Sequence, residues 1–127
     1  IAQAQELGVE IVPPEEISDL FAVSDVLALP SINATESFGL VQVEAMLSGV
    51  PVVASDLPGV RQPARITGMG EIARIGDAGD LARQLLKVLE APERYHRDAA
   101  EIRAAFPPEK TLDFYEGIYR SLAGSPR

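Results

Sequence analysis

Glu36 and Glu44 stand eight positions apart in the stretch ESFGLVQVE, with Ser37-Phe38-Gly39 and the start of an apolar helical run between them. If a helix begins near Gly39, its first amides lack intrahelical partners and carry the positive end of the helix dipole, which suits phosphate. Gly39 lets backbone and ligand approach closely. At about 1.5 Å per residue, eight residues reach roughly 12 Å along a helix axis, approaching the extent of a hexose, a diphosphate and a ribose in line. A carboxylate at each end can accept hydrogen bonds from adjacent sugar hydroxyls while the amides between them take the phosphates. This pattern suits capture of a nucleotide sugar, with Glu36 in the loop near the hexose and Glu44 one turn into the helix near the ribose.

Alternating strands and helices are expected to position these residues. Val9-Glu10-Ile11-Val12 is a short β-type run ended by Pro13-Pro14, and Glu15 to Ala22 has apolar residues at helical spacing. Val26-Leu27-Ala28-Leu29-Pro30 is a continuous apolar run of the kind buried on both faces of a parallel sheet, and the loop Ser31 to Phe38 follows it. Leu40 to Ser48 reads as a helix closed by Gly49, Pro51 to Asp56 as a second buried strand, Pro58-Gly59 as a turn, and Glu71 to Ile75 as a weaker strand. This alternation predicts a parallel sheet with right-handed crossovers and ligands at the carboxyl ends of its strands. Beyond Gly79 the chain reads as wholly helical, over Asp80–Glu90, Pro92–Ala105 and Glu109–Leu122. Leu112, Tyr115, Ile118, Tyr119 and Leu122 give the last helix an apolar stripe that needs a cover. The expected organisation is one domain over 1–127, a parallel α/β part over 1–79 followed by a helical part over 80–127.

Composition narrows the function classes. With 127 residues, 46% apolar and 24% charged, the chain has the balance of one soluble globular domain, and no apolar run is long enough to span a bilayer. A net charge of −8, with eleven basic residues spread along the chain, argues against nucleic acid as a partner. There is no cysteine, hence no disulfide, thiolate nucleophile or cysteine-based zinc site, which fits a reducing cytoplasm. His96 is the lone histidine and reads as solvated. Asp77 and Asp80 read as the N-cap and first-turn acid of a helix rather than metal ligands. The sequon Asn33-Ala34-Thr35 has no accompanying secretion signal in the polar, helix-like start Ile1 to Gly8, which reads as the tail of a helix in a longer protein.

Pro30-Ser31, Glu36-Ser37-Phe38-Gly39-Leu40, Glu44-Ala45-Met46, Gly49-Val50-Pro51-Val52-Val53-Ala54 and Asp56 together resemble the carboxyl-terminal half of group 1 retaining glycosyltransferases of the GT-B fold, relatives of glycogen and sucrose synthases. The similarity runs from about Val9 to Glu90. It implies an α/β fold in which a truncated, doubly wound, Rossmann-like parallel sheet is followed by C-terminal helices. It further implies that Glu36 contacts the donor sugar and carries the catalytic role. The amides after it, in Ser37, Phe38, Gly39 and Leu40, contact the diphosphate, and Glu44 binds the ribose. The implied partners are a nucleoside-diphosphate sugar and an acceptor that this sequence does not specify. No cofactor is implied, and no metal, since there is no Asp-x-Asp motif. Where many relatives carry an acid after the fifth strand, this chain has Pro58-Gly59-Val60-Arg61-Gln62.

By this resemblance Val9–Val12 is the third strand of a sheet ordered 3-2-1-4-5-6 and Val26–Leu29 the fourth. The two strands between them, the amino-terminal acceptor domain and the basic diphosphate ligands are then missing. The exposed edge of the fourth strand is expected either to pair with the third or to be closed by a dimer. A non-catalytic nucleotide-binding or association module, and a structural flavodoxin-like domain, are the alternative readings.

Overall fold

The computed structural model describes residues 6–10, 13, 16–33 and 35–123. Among the described residues six short elements build the α/β part. Helix α1 (Ile17–Val23) leads into strand β1 (Leu27–Leu29), helix α2 (Leu40–Leu47) into β2 (Val52–Ser55), and helix α3 (Gln62–Thr67) into β3 (Gly70–Ala73). Helix α4 (Ala78–Glu90) follows, then a 3-10 turn (Pro92–Tyr95) and helices α5 (Ala99–Ala105) and α6 (Pro108–Ala123). The three strands form one parallel sheet in the order β1-β2-β3, with Leu27 opposite Val52 and Val52 opposite Gly70.

Every residue of β2 is buried because helices cover both faces of the sheet. Side chains alternate along a strand, so Val52 and Val53 enter different clusters. Val52 joins Phe21, Ala45, Met46, Ala64, Met69 and Ile102, whereas Val53 joins Ala73, Val88 and Tyr95. Ala54, Leu57 and Val60 form a third cluster at the carboxyl end of the sheet, with Leu29 packed against it. This Rossmann-like arrangement matches the expected fold. Among the described residues β1 has β2 as its one strand neighbour, leaving its outer edge open. Val9 and Glu10 are not in a strand, and Ile11 and Val12 of that expected strand lie outside the described residues.

Three expectations are corrected. A six-residue helix, α3, follows the expected turn at Pro58-Gly59, where no helix is expected. The last strand begins at Gly70 and ends at Ala73 rather than running to Ile75. The helix expected over Pro92–Ala105 breaks at His96 to Asp98, whose ends have extended backbone. Tertiary hydrogen bonds hold that break: the Tyr95 hydroxyl donates to Glu71 (2.7 Å), and the Arg97 guanidinium donates to the Thr67 carbonyl (3.1 Å). The apolar stripe of α6 is also uncovered, since Leu112, Tyr115, Ile118 and Tyr119 are all exposed. The Leu122 side chain lies outside the described residues.

The Tyr95–Glu71 bond predicts a pH dependence. Burial, with Glu71 beside it, pushes the Tyr95 hydroxyl up to about 12. Burial raises Glu71, but hydrogen bonds from Lys87 (2.8 Å) and Tyr95 outweigh it and hold the carboxyl below its ordinary value. The folded chain therefore retains the Tyr95 proton to higher pH than the unfolded chain, so this stabilisation is full below about pH 10 and is lost as pH rises towards 12. The stability difference between wild type and Tyr95→Phe, about 1 kcal/mol for one hydrogen bond, should be constant through neutral pH and shrink above about pH 10. A difference that stays flat to pH 12 in denaturant titrations contradicts this account.

Candidate functional site

The loop after β1 and the turn after β2 meet at the start of α2. Gly39 is the N-cap of α2, buried and left-handed at φ +75° and ψ +68°, and no side chain caps the helix. The left-handed backbone favours glycine here, and a Cβ would fall 2.6 Å from Leu29 Cδ2 and 3.0 Å from Gln42 Nε2, so those side-chain ends would have to shift. Among the described residues, the first bond made by a backbone amide of α2 is from Gln42 to the Gly39 carbonyl (2.9 Å). Helix geometry therefore leaves the amides of Leu40 and Val41 at the positive end of α2 with no carbonyl one turn earlier to accept them.

The turn from Asp56 to Arg61 backs this loop. Gly59 packs so closely on the loop that a Cβ there would fall 1.6 Å from the Ser37 carbonyl oxygen. Gln42 ties the two segments together. It is fully buried in α2, and its Nε2 donates to the Phe38 carbonyl (3.0 Å) and the Val60 carbonyl (2.9 Å). Arg61 Nη1 pairs with Asp56 Oδ1 at 2.9 Å, so the basic group of this turn lies beside an acid.

The residues expected to bind ligand are distributed around that junction. Glu36 is half-buried in the loop, Ser37 is exposed, and Leu40 is 71% exposed at the helix start. Glu44 lies one turn after Leu40 on the exposed side of α2, while Gln42, Ala45 and Met46 occupy its buried side. Phe38 differs from its neighbours. Its ring packs edge-on against Phe106, with centroids 5.9 Å apart, which leaves its backbone as the part available to a ligand.

Asp77 accepts the Asp80 amide (2.8 Å) as N-cap of α4, and buried Asp80 accepts the Arg74 amide (2.8 Å). Both are occupied in starting a helix. Among the described residues no group of three or more His, Cys, Asp or Glu is placed to hold a metal. A separate concavity, lined by Ser24, Asp25, Gly49, Pro51 and Tyr95, lies at the amino ends of β1 and β2, away from Glu36. No helix among the described residues is long and apolar enough to cross a membrane.

The contacts of Gln42 and Phe106 and the ion pair of Arg61 lie outside the sequence-based expectations. Only Gln42 had a local signal, because it lies three and four residues before Ala45 and Met46 and so shares the core face of an apolar helix.

Comparison with known proteins bears on this arrangement. The family described as "Glycosyl transferases group 1" matches residues 9–104. The D-inositol 3-phosphate glycosyltransferase of Mycolicibacterium vanbaalenii is 39% identical over 129 residues, covering 94% of this chain and 28% of that protein. The N-acetyl-alpha-D-glucosaminyl L-malate synthase of Bacillus anthracis is 32% identical over 110 residues, covering 83% of this chain and 28% of its own length. Among solved structures, the sucrose-phosphate synthase of Thermosynechococcus elongatus superposes with a TM-score of 0.75 at 27% identity, over 98% of this chain and 34% of that one. The Anabaena HepE protein, solved in complex with UDP, superposes with a TM-score of 0.71 at 27% identity, over 98% of this chain and 35% of that one. The chain thus spans between about a quarter and about a third of the length of these relatives.

Proposed function

This chain belongs to the group 1 glycosyl transferases, and from that membership we propose that it forms the donor-binding part of a retaining enzyme that moves a sugar from a nucleoside diphosphate to an acceptor. The observation that carries the reading is the uncapped start of α2, preceded by Glu36 and followed one turn later by Glu44. The amides from Ser37 to Leu40 receive the diphosphate, Glu36 accepts hydrogen bonds from the sugar hydroxyls, and Glu44 accepts those of the ribose. As the bond from sugar to phosphate breaks, negative charge grows on the leaving diphosphate, and fixed amides at a helix N-terminus stabilise that charge without reorganising. Glu36 holds the reacting sugar in register with them. That the similar Anabaena protein was solved in complex with UDP supports a nucleotide as the ligand class.

In this reading the parallel part over 1–79 carries the donor site and the helical part over 80–127 supports it. The acceptor and an amino-terminal domain belong to the whole protein. The open edge of β1 is where further strands, or a second copy of the chain, pair. A reducing cytoplasm suits a chain without cysteine.

The test is a transfer assay on the full-length protein with a panel of nucleotide sugars, scoring the anomeric configuration of the product. Transfer with retention is expected. Donor binding without transfer would favour a non-catalytic binding module, and absence of both would refute the donor reading.

A further inference from the structure

We propose that Gln42 is the positioning residue of the donor site, an inference that rests on the donor reading above. Its amide nitrogen has two hydrogens and gives one to Phe38, on the loop after β1, and one to Val60, on the turn after β2. Those carbonyls lie on segments joined to different strands, and one buried side chain makes them a single rim.

The chemistry fixes the orientation of the amide. Two carbonyl oxygens face the nitrogen, and turning the group over would set its own oxygen against both. Oε1 is consequently buried with no hydrogen-bond partner among the described residues. A side chain needed only to fill this core position would be apolar, because leucine or methionine has nearly the same volume and leaves no bare acceptor. The glutamine is therefore explained by its two donations.

One further contact joins the same segments, since Gly59 sits against the Ser37 carbonyl, and the missing Cβ of Gly39 leaves room for Gln42 Nε2. Together they hold the loop that ends in the amides of Leu40 and Val41 at one angle to α2. Gln42 reaches no ligand in this scheme. It acts through the placement of those amides.

The test measures uridine and guanosine diphosphate affinity by ligand-observed NMR on the chain, alongside thermal melting. Gln42→Met keeps the volume and removes both donors. Below its melting temperature it should bind diphosphate at least tenfold more weakly than wild type, whereas a purely packing role would lower the melting temperature and leave the affinity of the folded chain unchanged. Gln42→Glu supplies a second, independent readout. Its carboxyl can donate only when protonated, so its deficit against wild type should narrow from pH 8 to pH 5.5.

Folded Gln42→Met that binds within twofold of wild type would overturn the positioning role. Should that variant not fold, a pH-independent deficit in Gln42→Glu would overturn it instead. If the wild type binds neither diphosphate, the donor reading itself fails and this role with it.

Discussion

Replacing Glu36 with alanine in the full-length protein should lower turnover by about a hundredfold, the size of effect expected when a group that aligns the reacting centre is lost. Glu36 is half-buried in the loop that ends at the start of α2, whereas Glu44 is exposed one turn further on. That difference in place predicts a difference in effect. In the donor reading, the hydroxyls accepted by Glu36 belong to the sugar whose bond breaks, and those accepted by Glu44 belong to a ribose that changes little between ground and transition states. Glu44→Ala should therefore raise the donor KM by about tenfold to a hundredfold, the loss of one or two charge-assisted hydrogen bonds, with kcat nearly kept. Steady-state kinetics with a saturating acceptor separates the two. Equal effects on KM from both substitutions, with turnover intact, would show that the roles are wrongly divided.

Gly59→Ala should be the most destabilising of the conservative changes near the site. A Cβ there would fall 1.6 Å from the Ser37 carbonyl oxygen and 2.8 Å from its carbon, both of them backbone atoms that cannot swing aside as a side chain would. The turn must then move off the loop after β1, taking the Val60 carbonyl away from Gln42. We expect a loss of about 3 kcal/mol, towards the upper end of overpacking costs, and a fall in melting temperature of roughly 10 °C. Gly117→Ala is the control: it is exposed on α6, nothing lies near an added Cβ, and alanine is the better helix former, so that variant should be slightly stabilised. A Gly59→Ala chain melting within about 2 °C of wild type would show that the two segments are not packed as described.

What sequence could and could not disclose follows from the range of each interaction. Glu36, Gly39 and Glu44 were legible because helix start, glycine and acid spacing are local signals within nine residues. The strands Leu27–Leu29 and Val52–Ser55 were legible for the same reason, as continuous apolar runs. Helix α3 was not, because its six residues include Pro63 and follow directly on a turn, too short a span for a helical period to show. The break after Tyr95 was hidden because bonds to Glu71 and Thr67, 24 and 30 residues away, decide it. The latch through Gln42 was half visible: a polar residue on a core face marks a buried hydrogen bond, but its partner at Val60, 18 residues on, appears only in the fold. The stripe of α6 shows the converse limit, since periodicity foretold an apolar face and could not say what covers it.

The central claim is that the start of α2 receives a nucleoside diphosphate, and the most direct measurement is a titration of the chain with uridine and guanosine diphosphates while its backbone amide resonances are followed. Saturable shifts should be largest from Ser37 to Val41, with smaller ones at Glu36 and Glu44, for whichever nucleotide binds. Shifts confined to the opposite concavity, at Asp25, Gly49 and Tyr95, would contradict the claim, as would no saturable shift with either nucleotide up to about 10 mM, weaker than any useful donor affinity.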